Sequence, residues 1–171
     1  MYATLSKIFS LFIKKKYIFK YGFNISPMYR RTTGRILHIT DDLMQITIKI
    51  PKSYKNLNYA RTIFGGSLFS ATDPIFMIQL VQLLGDDYIV WDKKSTIQFK
   101  RPANETAYSY FNFNEEEIID IKKKVDEEKK IDIIKNIQLS NRDGSIIFAE
   151  ISKTLYIADK KYYKNELQQK A

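Results

Sequence analysis

Asp73 is the one charged side chain in the 24 residues from Thr62 to Gly85, TIFGGSLFSATDPIFMIQLVQLLG. The stretch is apolar on every helical face, which predicts a buried helix over 65–84. An ionised carboxylate is expensive to desolvate, so one in such a segment implies a partner or a task. Gly65 and Gly66 stand eight and seven residues before it. At the start of a helix the first backbone N–H groups lack intrahelical partners and can receive an anion or a developing oxyanion. A carboxylate able to act as base or nucleophile, on the same helix as such donors, is the constellation with chemistry in it. Simpler roles compete. Asp-Pro is a preferred pair at a helix start, so Asp73 would then cap a helix beginning at Pro74. The two glycines would serve tight helix-on-sheet packing, and Asn58 a turn. Ser67, Ser70 and Thr72 are expected to bond back to helix carbonyls. Pro74 lacks an N–H and crowds the carbonyl of Ser70, which predicts a kink.

Composition removes several alternatives. The chain has no cysteine, so disulfides, thiolate catalysis and Cys-based zinc sites are out. Its single histidine, His38, is too little for a His-rich metal centre or an ordinary Ser-His-Asp triad, and no metal ligand set is expected. Lack of cysteine fits a reducing compartment, and cytoplasmic location is the expectation. The net charge is +9, but it is unevenly spread. Residues 1–40 carry Lys7, Lys14, Lys15, Lys16, Lys20, Arg30, Arg31 and Arg35 with no acid, whereas the rest of the chain is near balance. Either this is a lysine-rich compositional bias or the arm is drawn to something anionic: phospholipid, a nucleotide phosphate or an acidic carrier protein.

The elements that must position Asp73 follow from periodicity. Leu5, Ile8, Phe9, Phe12 and Ile13 at i, i+3, i+4, i+7 and i+8 predict an amphipathic helix over 4–20, too short and too charged to span a bilayer. It packs on its own domain or lies on a membrane surface. Strands are expected at 34–40 and at 44–50, where Met44, Ile46, Ile48 and Ile50 alternate with polar residues up to Pro51. After the buried helix come strands at 88–101 and 106–113, a charged helix at 115–130 with acids leading that reads as a solvated connection, and strands at 131–140 and 145–157. The last two are joined by Asn141-Arg142-Asp143-Gly144, a hairpin turn signal. His38 is read as structural or exposed, and Trp91-Asp92 as lining an interface or filling the core edge. The tail after Asp159 is polar and is expected to fray. The organisation is a basic N-terminal arm over 1–32, one domain over 33–158 and a polar tail over 159–171.

Six antiparallel strands and one wholly apolar helix make an α+β domain. The economical packing is a curved sheet wrapped around the helix. One sheet leaves part of the helix or of its own face uncovered, which favours association of two copies.

This architecture resembles the hotdog fold, and the likeness becomes specific at the helix start. Asn58, Phe64-Gly65-Gly66 and Asp73 reproduce the spacing of phenylacetyl-CoA-type hotdog thioesterases, and GGSLFSATD is similar to their Gly-Gly-x-Leu-Phe-Ser-x-x-Asp run. The segment Ser95 to Pro102 looks like the strand such proteins place after the helix, and residues 34–157 fit the topology. NLNYARTIFGGSLFSATDPIFM and YIVWDK look like an uncharacterised bacterial branch of that superfamily. The resemblance implies a thioester substrate carried on coenzyme A or on a carrier protein, no cofactor, and a homodimer or homotetramer with the site at a subunit boundary. It implies Asp73 as general base or nucleophile, the Gly65 N–H as oxyanion donor, Asn58 as an orienting residue, and Phe64, Gly66 and Phe69 against the substrate. One position departs: these thioesterases usually carry His just before the glycine pair, and here it is Phe64. A non-catalytic protein that binds an acyl chain or acyl-CoA is therefore the alternative, as is a peripheral membrane protein working through its basic arm. Aromatic residues in the arm (Tyr17, Phe19, Tyr21) come with no nucleic-acid motif, so nucleic acid ranks below these partners.

Overall fold

The computed structural model describes residues 15–170, with side chains to residue 168. Most of the predicted helix over 4–20 lies outside the described residues. What is described is a helix α1, Lys15–Ile25, followed after Ser26 by a short turn of helix α2, Pro27–Arg31. Strands β1 (Arg35–Ile39) and β2 (Gln45–Ile50) form a hairpin. Helices α3 (Gly65–Thr72) and α4 (Ile75–Leu84) come next. Then follow β3 (Tyr88–Phe99), β4 (Ala107–Asn112), α5 (Glu115–Glu128), β5 (Lys130–Ser140), β6 (Ile147–Asp159) and α6 (Lys160–Lys170). The six strands form one antiparallel sheet in the order β1-β2-β4-β5-β6-β3. Alternation is what selects its inner face: Ile46, Ile48 and Ile50 of β2 and Ile151, Leu155 and Ile157 of β6 are all buried.

Against that face lie Leu68, Ala71, Ile75, Phe76 and Leu80, with the Phe76 ring edge-on to Phe111 and Phe113. The helix is not covered on every side. Val81 and Gln82 face solvent in the single chain, on the side the sheet does not reach. The helix expected over 65–84 with a kink at Pro74 is two helices that meet at Asp73-Pro74. Asp73 closes α3 in αR geometry, its N–H bonded to the Phe69 carbonyl at 3.0 Å, and Pro74 rather than Asp73 stands before α4. The capping role considered for Asp73 is thereby corrected.

Two further elements behave differently from expectation. The polar tail, read as fraying, forms α6, and Lys130 reaches Glu166 on it at 2.8 Å. The charged helix α5 is more than a solvated link: Ile118, Ile121 and Val125 are buried, and Asn114 caps it by accepting from the Glu117 N–H at 2.7 Å. The arm residues that are described belong to the fold. Asn24 pairs with the edge strand β1 through both ends of its amide, 2.9 Å to the Ile36 carbonyl and 2.8 Å from the Ile36 N–H. Tyr29 is fully buried.

Candidate active site at the helix break

A helix break in a core leaves carbonyl groups without partners, and these must be satisfied from elsewhere. Two side chains do so here. The Tyr29 hydroxyl donates to the Ala71 carbonyl at 3.0 Å, and burial pushes the phenol pKa up, so it stays a donor. Lys153, on β6, donates to the Asp73 carbonyl and, at 3.1 Å, to Asp73 Oδ1. Its Nζ also lies 2.9 Å from Asp92 Oδ1. Lys153 thus hydrogen-bonds two oxygens of Asp73 and stands in ion-pair contact with Asp92. Its side chain is 0% exposed, so the charge is buried and matched. A cation at the C-terminal end of α3 also opposes the negative pole of the helix.

The carboxylate it holds is accessible. The Asp73 side chain is 46% exposed, against the expectation of a buried acid. Oδ1 is engaged by Lys153, while Oδ2 makes no hydrogen bond among the described residues. Asp92 is the more enclosed acid, 22% exposed, and burial raises its pKa above the usual carboxylate value while the Lys153 hydrogen bond and charge oppose the shift.

Asp92 reaches Lys153 because β3 bulges between Asp92 and Lys94. An extra residue reverses which side chains face inward. Val90 and Asp92 point in before the bulge, and Ser95 and Ile97 after it. Neither Asp92 nor Lys153 was singled out as a site residue from sequence. Lys153 had a signal, as the lone charge in the inward row Ile151, Lys153, Leu155, Ile157. Asp92 had none, because a bulge leaves no mark in an alternating pattern.

The start of α3 forms a second part of the constellation. The loop before it is pinned by bonds from the Ile63 N–H to Ala103 O at 3.0 Å and from the Phe64 N–H to Asn56 O at 2.8 Å. The Ser67 and Leu68 N–H groups turn back to Phe64 O, and those of Gly65 and Gly66 make no hydrogen bond among the described residues. A Cβ on Gly65 would lie 2.7 Å from the Phe99 ring, and one on Gly66 2.3 Å from the Phe64 ring, so a side chain at either position would have to displace an exposed ring. Gly65, Asn58 and Phe99 line one open cleft of about 520 Å³ with Lys100, Arg101 and Pro102. Asn58 uses its whole amide on Thr62, donating to Oγ1 at 2.9 Å and accepting from the N–H at 3.1 Å. Phe69 contributes its carbonyl to Thr72 Oγ1 at 2.7 Å, and its side chain is half-buried. His38 is exposed on β1, and Trp91 is half-exposed. The described residues contain no cluster of metal-ligating side chains.

Asp73 and Gly65 are not brought together within one chain. Eight residues of helix separate them by about 12 Å along the axis, far beyond the reach of one reacting carbonyl.

Comparison with known proteins now bears on this arrangement. A family model described as a domain of unknown function, DUF4442, matches residues 15–157. The chain belongs to the DUF4442 family. No curated protein matches the sequence. Among solved structures, this DUF4442 chain is similar to a Pseudomonas aeruginosa protein of unknown function named a probable thioesterase, at 19% identity and a TM-score of 0.67, covering 76% of this chain and 85% of that one. It is similar to a Chlorobaculum tepidum protein of unknown function at 15% identity and a TM-score of 0.65, covering 93% and 94%. A Haemophilus influenzae thioesterase matches at 10% identity and a TM-score of 0.59, covering 81% and 87%. At such identities the likeness is one of fold. This DUF4442 member has the hotdog fold, in the form that thioesterases also use.

Proposed function

We propose that the protein hydrolyses an acyl thioester, carried on coenzyme A or an acyl-carrier protein, at a boundary between two copies of the chain. The observation that carries this reading is the exposed Asp73 carboxylate, anchored through Oδ1 by a buried lysine and open at Oδ2. Held this way, a carboxylate is oriented without being neutralised, which suits a general base. Asp73 takes a proton from water as the hydroxide oxygen bonds to the thioester carbon. The oxyanion is received by the Gly65 N–H of the other copy. Collapse breaks the carbon–sulfur bond, and the thiolate takes the proton back from Asp73, leaving a carboxylic acid and a free thiol. Asp73 as direct nucleophile, through an anhydride that water then opens, uses the same groups. The separation of about 12 Å between Asp73 and Gly65 on one helix supports sharing the site between copies.

A second reading has its own observation. The Phe64 and Phe99 rings stand over the two glycines, where the resembling thioesterases carry a polar His before the pair. Rings over the donors suit an acyl group bound without turnover.

The test is a panel of acyl-CoA thioesters, short, long and aromatic, with free-thiol detection, run on the wild type and Asp73→Asn. Turnover that the variant loses supports hydrolysis with Asp73 in the site. A folded dimer with no turnover on any substrate, including in Phe64→His, supports the binding role. Light scattering that finds only monomer at micromolar concentration would overturn the shared site.

A further inference from the structure

Four cations meet in a second cleft on which the thioester reading makes no demand. It is a hollow of about 350 Å³ between α2 and the loop after β2, and Arg30, Arg31, Arg35 and Lys55 line it along with Thr33 and Ser53. No carboxylate lines it, and none of the four forms an ion pair with a described residue. Its walls are tied together: the buried Asn56 amide donates to Thr33 Oγ1 at 2.7 Å on one side and to the Pro51 carbonyl at 2.9 Å on the other. Like charges gathered in a built concavity repel one another unless an anion lies among them.

The same part of the chain exposes an apolar stripe. Tyr17, Tyr21 and Ile25 sit at i, i+4 and i+8 of α1 and are 43%, 54% and 67% exposed; Met28 of α2 is 54% exposed. The opposite face of α1 is occupied, with Phe19 buried and stacked on Phe23. The stripe is therefore the outer face of a helix already packed on the domain, and α1 leads directly into the turn that carries Arg30 and Arg31. Upstream, the sequence of residues 4–14 has the same apolar and lysine-rich composition without an acid.

We propose that this face docks on an anionic phospholipid membrane, with the headgroup phosphate in the Arg30, Arg31, Arg35 and Lys55 cleft and the Tyr21, Ile25 and Met28 side chains at the acyl boundary. Guanidinium groups bind phosphate oxygens in a fixed fork geometry, and a helix with an apolar outer face lies in the interfacial plane. A soluble phosphate compound would use the arginines and leave Ile25 and Met28 in water. A second copy applied to the same face would bring four cations against four. A surface that is both anionic and apolar answers both features at once. This inference is independent of whether Asp73 hydrolyses anything.

The experiment is co-sedimentation of the full chain with vesicles of phosphatidylcholine alone and of phosphatidylcholine mixed with phosphatidylglycerol. Binding is expected only to the mixed vesicles, and high salt should weaken it. Arg30→Gln and Arg31→Gln should each lower the partition coefficient roughly fivefold. Ile25→Ser with Met28→Ser should lower it at least as far at low salt, with the circular dichroism spectrum unchanged. Equal sedimentation of wild type and variants would overturn the proposal, as would failure to bind anionic vesicles. Displacement from vesicles by millimolar coenzyme A or inorganic phosphate, with the apolar variant binding normally, would assign the cleft to a soluble ligand instead. Arginine-dependent binding of random duplex DNA without vesicle binding would assign it to nucleic acid.

Discussion

The molecule uses cations in two opposite ways. Lys153 is one charge, 0% exposed, with three oxygens around it from two acids and a helix end. Arg30, Arg31, Arg35 and Lys55 are four charges around an open hollow without a carboxylate. In the first case the protein supplies the counter-charge itself, so the lysine holds geometry and little else can reach it. In the second the counter-charge is left to come from outside. Burial decides the energetics as well. A desolvated charge that loses a partner has no solvent to fall back on, while an exposed one is screened by water and salt.

The comparison is sharpened first by activity. If a thioester substrate is found, Asp73→Asn should lower kcat by about 10²–10⁴, the range expected of a positioned general base, with KM changing little. A loss confined to KM would mean that Asp73 binds rather than reacts. Next in size is Lys153→Met. It leaves Asp92 enclosed without its cation and uncaps the α3 end, and it should destabilise the fold by about 3–5 kcal/mol in urea unfolding. A loss under about 0.5 kcal/mol would show that the two acids relax into water and that the network does not hold the break.

By contrast, Arg31→Gln should leave stability within about 0.5 kcal/mol of wild type or raise it slightly, and added salt should erase the difference. A large destabilisation there would break the contrast, making the cleft a structural feature rather than a receiving one. The smallest effect concerns pH. Burial raises the Asp92 pKa, so just above the ordinary carboxylate value the folded chain keeps a proton that the unfolded chain has released. Stability should therefore fall as pH rises across that window, and Asp92→Asn should remove that slope from thermal melts taken at successive pH values. An unchanged slope in the variant would assign it to another acid.

Much of this is legible in the sequence. Ile46, Ile48 and Ile50 announce a half-buried strand by their spacing, and the acids leading α5 announce a helix start. The glycine pair and Asp73 stood out because a single acid in an apolar run is costly unless used. What escaped was what lies opposite Asp73. Lys153 is 80 positions away in the chain, and its meeting with Asp73 depends on β6 crossing beneath the helix break. Asp92 depends on a bulge at Lys93 that swaps the inward parity of β3. Asn58, expected to orient a loop or a water, bonds across its own loop to Thr62.

Sequence alone determined the alternating sheet, the apolar central helix and its weak point at Pro74, because periodicity and the missing proline N–H act locally along the chain. It also determined that the acids and bases are unevenly shared, with none of the acids in the first 40 residues. Which cations meet acids and which do not follows from the folded packing. Pairing depends on which strands become neighbours, and strand order is set by the packing of the whole core rather than by any one segment. That packing left Lys153 between Asp73 and Asp92, and left Arg30, Arg31, Arg35 and Lys55 facing outward together.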